Sequence, residues 1–221
     1  MPRLTSVLAV SALFAAAQVA NAADAALVSG ARSIPLVKQR LRNNCETAAL
    51  SMLLAAGGVP VSQLDLQGLL PRSGPLDPIV EPGSALPIWG DPDKGFVGRA
   101  AGGGRAGGFG VYQGPIRRLA ARYGVVLDDL SRRPSEELYR RLADGRPVMV
   151  WVGLTEGPYR RWRTPAGKPI SANFGEHVVV LTGKRGDVIS VNDPLTGMRQ
   201  SWSVALFERR WQLLGRRALG L

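Results

Sequence analysis

Cysteine and histidine are nearly absent from the sequence. Its 221 residues include one cysteine, Cys45, and one histidine, His177. A single cysteine excludes an internal disulfide bond, so the thiol is either a small buried side chain or a group kept for chemistry. One cysteine and one histidine also leave too few soft ligands for a zinc site, and we therefore predict no metal.

Lysine is also scarce, although the chain is strongly basic. Only four of its 28 basic residues are lysines, and the formal net charge is +11. The arginines are scattered, and no basic run is interleaved with aromatic residues as in proteins that bind single-stranded nucleic acid. We therefore expect no nucleic-acid partner. We interpret the charge as a solvated surface that can contact an anionic cell envelope.

Long hydrophobic runs are confined to the N-terminus. Residues 1–22 combine Arg3, an uncharged apolar run over residues 4–17 and the small-residue sequence ANA at residues 20–22. This pattern is typical of a cleaved secretory signal peptide, and an uncleaved anchor is the alternative. The apolar run is too short to span a bilayer easily, and no later segment is long enough. We therefore expect a mature domain over residues 23–221 that is periplasmic or secreted.

The patterns that follow predict helices in the first part of the domain. The alanine- and leucine-rich run CETAALSMLLAA, which begins at Cys45 and ends at two glycines, predicts a helix. Proline and glycine dominate residues 71–114, which predicts a long loop. Further helices are expected over residues 62–70, 114–124, 134–145 and 204–215.

Strands are predicted for most of the second part of the domain. Apolar runs separated by glycine-containing turns predict an antiparallel meander. The expected strands cover residues 34–37, 125–130, 147–153, 176–183, 187–194 and 198–204. The sequence therefore predicts an α+β domain in which a helical N-terminal part packs on an antiparallel β-sheet.

Three separated residues have the chemistry of a catalytic triad. Cys45 opens the predicted N-terminal helix, His177 lies in a predicted strand, and Asp193 ends the next strand. Adjacent antiparallel strands place such positions side by side. A helix N-terminus and a neighbouring imidazolium both lower the pKa of a thiol, so we expect a lowered pKa for Cys45. The three residues are the candidate nucleophile, base and orienting carboxylate.

Two further residues bear on this candidate site. Asn192 is a rival to Asp193, because an amide can also orient a histidine, and neighbouring strand residues point to opposite faces. Of the two, Asp193 is our choice. Gln39, six residues before Cys45, offers a side-chain amide that could join the backbone N–H of Cys45 as donors to an oxyanion.

Five motifs resemble those of the papain-like cysteine peptidases of the bacteriocin-processing type (peptidase family C-thirty-nine), in particular their stand-alone exported branch. They occur in the family's order over roughly residues 34–200: NNCETAALSMLL, GDPDKGFVG (residues 90–98), GVYQGPI (residues 110–116), GEHVVVLTG and VNDPLTG. The resemblance implies a papain-like fold and a peptide or protein substrate. It also implies a triad of Cys45, His177 and Asp193, with Gln39 as oxyanion donor.

These expectations favour an exported cysteine peptidase that hydrolyses a peptide amide through an acyl-enzyme on Cys45. The same residues would serve an acyl transferase or transamidase if an amine rather than water resolves the thioester. A catalytically silent envelope protein that binds peptide or anionic polymer is the third possibility. The segment GGGRAG (residues 102–107) matches a dinucleotide fingerprint, but it follows no convincing strand and opens no helix, so we expect no cofactor.

Overall fold

The computed structural model describes residues 34–104 and 106–221. The expected signal peptide, residues 1–22, lies outside the described residues and stays a prediction. Residues 34–37 do not form the expected strand. The carbonyl of Pro35 instead accepts a hydrogen bond from the side chain of Asn192 at 3.1 Å, so it is satisfied without a strand partner.

Five α-helices lie in the described part of the chain, each close to a helix that the sequence predicts. They are α1 (Cys45–Ala56), α2 (Gln63–Leu69), α3 (Gln113–Ala121), α4 (Ser135–Ala143) and α5 (Val204–Gln212). Helix α1 ends at Gly57, and Gly58 adopts a φ of 86°, a conformation that favours glycine. The hydroxyl of Ser62 caps α2 by accepting the backbone N–H of Asp65 at 3.1 Å. None of these helices is both long and apolar enough to cross a membrane.

The strands of the described residues form one large sheet and two small ones. In chain order they are β1 (Arg72–Ser73), β2 (Phe96–Gly98), β3 (Gly108–Gly110), β4 (Asp128–Asp129), β5 (Val148–Gly153), β6 (Tyr159–Arg163), β7 (Pro169–Asn173), β8 (Glu176–Arg185), β9 (Val188–Asp193), β10 (Met198–Ser203) and β11 (Ala218–Gly220). The large sheet is antiparallel throughout, with strand order β10-β9-β8-β5-β11-β4. It contains the predicted meander β8-β9-β10.

Both faces of the large sheet are buried, which explains the continuous apolar runs of its central strands. Along β5, Met149 and Trp151 pack in the same cluster as the leucines of α1. Val150, between them, packs in a second cluster with Phe207 and Trp211 of α5. The period of two along the strand therefore divides one apolar run between two cores. The predicted α+β class, with a helical N-terminal part packed on an antiparallel sheet, is confirmed.

Two small sheets form in segments for which the sequence predicts no strand. Strands β1, β2 and β3 lie within the proline- and glycine-rich residues 71–114, and β6 pairs with β7 as a hairpin. The indole N–H of Trp162 in β6 donates to the carbonyl of Gly90 at 2.7 Å, which connects the two segments. The ring of Phe109 in β3 packs against Trp162 and Phe174, with centroids 5.5 and 5.4 Å apart. These contacts give the long glycine-rich segment a defined position.

Candidate active site

A small cleft opens where the start of α1 meets the start of β8. It encloses about 120 Å³ and is lined by Cys45 and His177, although 132 residues separate them in the sequence. Phe109 and Phe174 form an apolar part of its wall. The cleft joins the helical part of the chain to the sheet because α1 packs directly against β8.

His177 and Asp193 form a buried pair at one side of this cleft. The Nε2 atom of His177 lies 2.7 Å from Oδ1 of Asp193. Burial alone would raise the pKa of Asp193, but the hydrogen bond from His177 and those from Leu195 and Thr196 outweigh it, and the pKa is lowered. Asp193 is therefore an ionised acceptor that favours the tautomer with the proton on Nε2. In that tautomer Nδ1 is the nitrogen that can accept a proton.

Asn192 occupies the opposite side of the same strand. Its side-chain nitrogen donates to the carbonyl of Pro35 at 3.1 Å and contacts the sulfur of Met52 at 3.8 Å. The alternation of side chains along β9 therefore directs Asp193 toward His177 and Asn192 toward α1. Of the two orienting residues considered from the sequence, only Asp193 contacts the imidazole.

The thiol of Cys45 faces carboxyl groups. Only 6% of Cys45 is exposed, and its Sγ lies 3.5 Å from Oε2 of Glu46. Among the described residues, no hydrogen bond joins this thiol to His177, and none occupies the backbone N–H of Cys45. Burial, and then the nearby Glu46 and Glu176, raise the pKa of Cys45 well above its ordinary value. The expectation of a lowered pKa is therefore wrong for this conformation, because burial and two carboxyls outweigh the helix N-terminus.

Glu46 and Glu176 are the functional candidates that the sequence analysis missed. Oε1 of Glu46 accepts the backbone N–H of Val111 at 2.7 Å, and burial raises the pKa of Glu46 to about 7. Burial and the proximity of Glu46 raise the pKa of Glu176 as well. Oε1 of Glu176 is buried and has no hydrogen-bond partner in the described part of the chain. Each glutamate is the immediate sequence neighbour of a triad candidate, and that adjacency is the signal that could have revealed them.

Gln39 lines the cleft, but its amide is already engaged. Its Nε2 donates to the carbonyls of Leu41 and Arg42 at 3.0 and 2.9 Å, while its Oε1 is buried and finds no partner among the residues that the structure describes. Its backbone N–H donates to the carbonyl of Pro194 at 2.8 Å, which ties this segment to the end of β9. Gln39 therefore lines the cleft, and its side chain stabilises the turn before α1. Its role as an oxyanion donor stays a prediction.

Comparison with known proteins supplies the family. The model of the Peptidase_C39 like family matches residues 31–219. The chain belongs to this family. The C39-like assignment agrees with the resemblance in the five sequence motifs, which is thereby confirmed.

Two relatives illustrate how far the similarity to C39-like proteins extends. The protein YvpB of Bacillus subtilis (strain 168), itself uncharacterized, is 32% identical over 184 residues, which cover 81% of this chain and 69% of YvpB. A crystal structure of a Bacillus anthracis protein, provisionally assigned as a C39-like peptidase, superposes with a TM-score of 0.73 at 28% identity. The match covers 85% of this chain and 94% of that one. The papain-like α+β fold of this C39-like chain is therefore confirmed.

One group of side chains in this C39-like protein has the spacing of a metal site. Cys45, Glu46 and Glu176 each place a ligand atom within 4.8 Å of the other two. A thiolate with two carboxylates can take a divalent cation, provided that their protons leave. The prediction of no metal considered only Cys45 and His177, and no metal chemistry is needed for the reaction developed below.

Proposed function

We propose that this C39-like protein is a cysteine peptidase that hydrolyses a peptide amide through an acyl-enzyme on Cys45. The observation that carries the proposal is the buried His177–Asp193 pair, which shares a cleft with the single thiol of the chain. Membership of a peptidase-like family supports a peptide or protein as the substrate.

The proposed cycle begins with transfer of the thiol proton to Nδ1 of His177. The thiolate of Cys45 then attacks the carbonyl carbon, and the electron pair of the C=O bond moves to the oxygen. The backbone N–H of Cys45, at the N-terminus of α1, has no acceptor among the described residues and is the first candidate donor to this oxyanion; Gln39 is the second. The imidazolium returns its proton to the leaving amine as the C–N bond breaks.

Water completes the cycle. His177 removes a proton from the water, whose oxygen attacks the carbonyl carbon of the thioester. The C–S bond then breaks, the carboxylic acid product leaves, and the imidazolium returns the proton to the thiolate of Cys45. Asp193 holds the ring in the tautomer that accepts at Nδ1 and stabilises the imidazolium in both halves. Since the resting thiol donates to Glu46, the cycle requires the thiol to turn from Glu46 toward His177.

Export remains part of the proposal. The composition of residues 1–22 supports it, and it places the substrate in the periplasm or outside the cell. Cleavage near Ala23 would be detected by N-terminal sequencing of the secreted or periplasmic protein.

One observation favours a second candidate function. The thiol donates to Glu46 rather than to the imidazole, as it would in a catalytically silent protein that only binds peptide in this cleft. The two candidates differ in whether Cys45 turns over substrate.

A peptide library followed by mass spectrometry tests the proposal. We expect the wild type to cleave a subset of peptides, and Cys45→Ala and His177→Ala to lose at least about 1,000-fold in kcat with unchanged thermal unfolding. A Cys45→Ala variant that cleaves at the wild-type rate would overturn the assignment. Peptide binding without cleavage in any variant would favour the silent protein. Amide products formed with added amines would instead indicate the transferase.

A further inference from the structure

Two carboxyl groups face the proposed nucleophile, Cys45. Oε2 of Glu46 lies 3.5 Å from Sγ of Cys45, and a carboxyl oxygen of Glu176 lies within 4.8 Å of both groups. Within residues 34–104 and 106–221, the carboxyl of Glu176 makes no hydrogen bond or ion pair, and its Oε1 is buried. Both glutamates line the cleft.

In the part of the chain that the structure describes, no basic side chain pairs with these two carboxyls. His177 is committed to Asp193 at 2.7 Å, and Arg42 lines the same cleft without an ion pair to either glutamate. An unpaired carboxyl that is buried costs free energy, and negative charge beside a sulfur opposes formation of a thiolate. Among the described residues, the two carboxyls therefore have no cationic partner at the position where a substrate would lie against Cys45.

A substrate can supply that charge. Resting on the proposed function, we propose that Glu176, together with Glu46, is a specificity-determining pair that selects substrates with a cationic group next to the scissile bond. A lysine or arginine side chain, or an N-terminal ammonium, has the required chemistry. Such a group pairs with the carboxyl of Glu176 and stabilises its ionised form, which burial otherwise disfavours.

The charge preference can be measured on the thiol itself, without any turnover. Three methanethiosulfonate reagents share one reactive group and form a mixed disulfide with Cys45: the 2-aminoethyl (cationic), methyl (neutral) and 2-sulfonatoethyl (anionic) forms. Because Cys45 is the only cysteine, the modification rate reports one site. The rates are measured above about pH 7, where Glu46 is ionised. The ratio of the cationic to the anionic rate for Cys45 is divided by the same ratio for 2-mercaptoethanol, and we expect a quotient of at least about 10.

Variants identify the source of the preference. Glu176→Gln should reduce the cation-to-anion ratio at least about threefold, and Glu46→Gln provides a second variant with the same expected direction. Glu136→Gln, which removes an exposed charge from α4, is the matched control and should retain the wild-type ratio. A wild-type ratio equal to that of 2-mercaptoethanol, or a ratio unaffected by Glu176→Gln, would overturn the inference.

Matched peptides separate this inference from the proposed function. We expect cleaved peptides to lose at least about 10-fold in kcat/KM when lysine beside the scissile bond is replaced by norleucine, and Glu176→Gln to abolish that difference. Equal cleavage of both peptides overturns the charge preference and leaves the peptidase intact. A cationic preference of the thiol with no peptide cleaved supports the acidic pair and removes the proposed function.

Discussion

The imidazole of His177 is bound to Asp193 and not to the adjacent Asn192. The 2.7 Å contact and the lowered pKa of Asp193 identify this carboxylate as the partner of the ring. We expect Asp193→Asn to lower kcat at least about 100-fold, because the amide no longer favours a proton on Nε2. Peptide-cleavage kinetics at several pH values provide the measurement.

Asn192→Ala is the matched control for that experiment. It removes the hydrogen bond to Pro35, so the expected change is a loss of about 1–3 kcal/mol in the free energy of unfolding, with kcat within a few-fold of the wild type. If Asn192→Ala, and not Asp193→Asn, removed activity in a folded protein, the orienting role would belong to Asn192.

The acidic neighbours of Cys45 predict an unusual alkylation profile. Because Glu176 contributes to the raised pKa of Cys45, we expect Glu176→Gln to lower that pKa. The rate of iodoacetamide labelling should then rise at lower pH in the variant than in the wild type, while Glu136→Gln leaves the profile unchanged. A shift to higher pH in Glu176→Gln would contradict the placement of the two groups.

Glu46 predicts a pH dependence of stability. Its carboxyl has a pKa of about 7 in the folded protein against an ordinary value of 4.5, so the folded state binds this proton more tightly than the unfolded chain. The free energy of unfolding should therefore fall as pH rises from about 4.5 to about 7. Glu46→Gln, which keeps an acceptor for Val111, should show a shallower fall in urea unfolding. An unchanged slope would show that Glu46 does not titrate there.

Gly110 leaves space for the carboxyl of Glu46. It adopts a φ of 115°, and a Cβ atom at this position would lie 2.1 Å from Oε1 of Glu46. Gly167 also has a positive φ, 84°, but a Cβ atom there would meet nothing within 4 Å, so Gly167 controls for backbone strain alone. We expect Gly110→Ala to lower the free energy of unfolding by about 1 kcal/mol more than Gly167→Ala, since Glu46 must give up its bond to Val111.

A double-mutant cycle checks that cause. If the clash with Glu46 explains the extra loss, Gly110→Ala should cost less in a Glu46→Ala background than in the wild type. Equal costs in the two backgrounds would assign the loss to the backbone of Gly110.

The elements with a strong periodicity could be predicted from the sequence. Helix α1 and strands β5 and β8 carry long apolar runs, and β9 and β10 follow glycine-containing turns. All five lie within a few residues of their predicted positions. The hairpin β6–β7 was not predicted because its strands are short and rich in charged or small residues. Strand β11 has only three residues, too few to show a period, and the strand expected over residues 125–130 is reduced to Asp128–Asp129.

The residues of the candidate site also differ in how far the sequence predicts them. Cys45 and His177 could be proposed because each is the only residue of its type in this chain, and Asp193 because it ends the strand that follows the strand of His177. Glu46 and Glu176 could not be placed, because an acid in the first turn of a helix and an acid at a strand start both have ordinary explanations. Their approach to one sulfur depends on how α1 packs on β8, which no local pattern records. The raised pKa of Cys45 was missed for that reason.

The large sheet includes strand β11, which follows its neighbours β4 and β5 at a long distance in the sequence. Strand β11 is interior, with β5 on one side and β4 on the other. Deletion of Ala218–Gly220 would remove the pairing of these residues with both neighbouring strands. It would also leave β5 and β4 each with an unpaired edge that can bind other molecules. Self-association should therefore appear in such a variant before any loss of the chemistry at Cys45, which gives the last strand a protective role against aggregation.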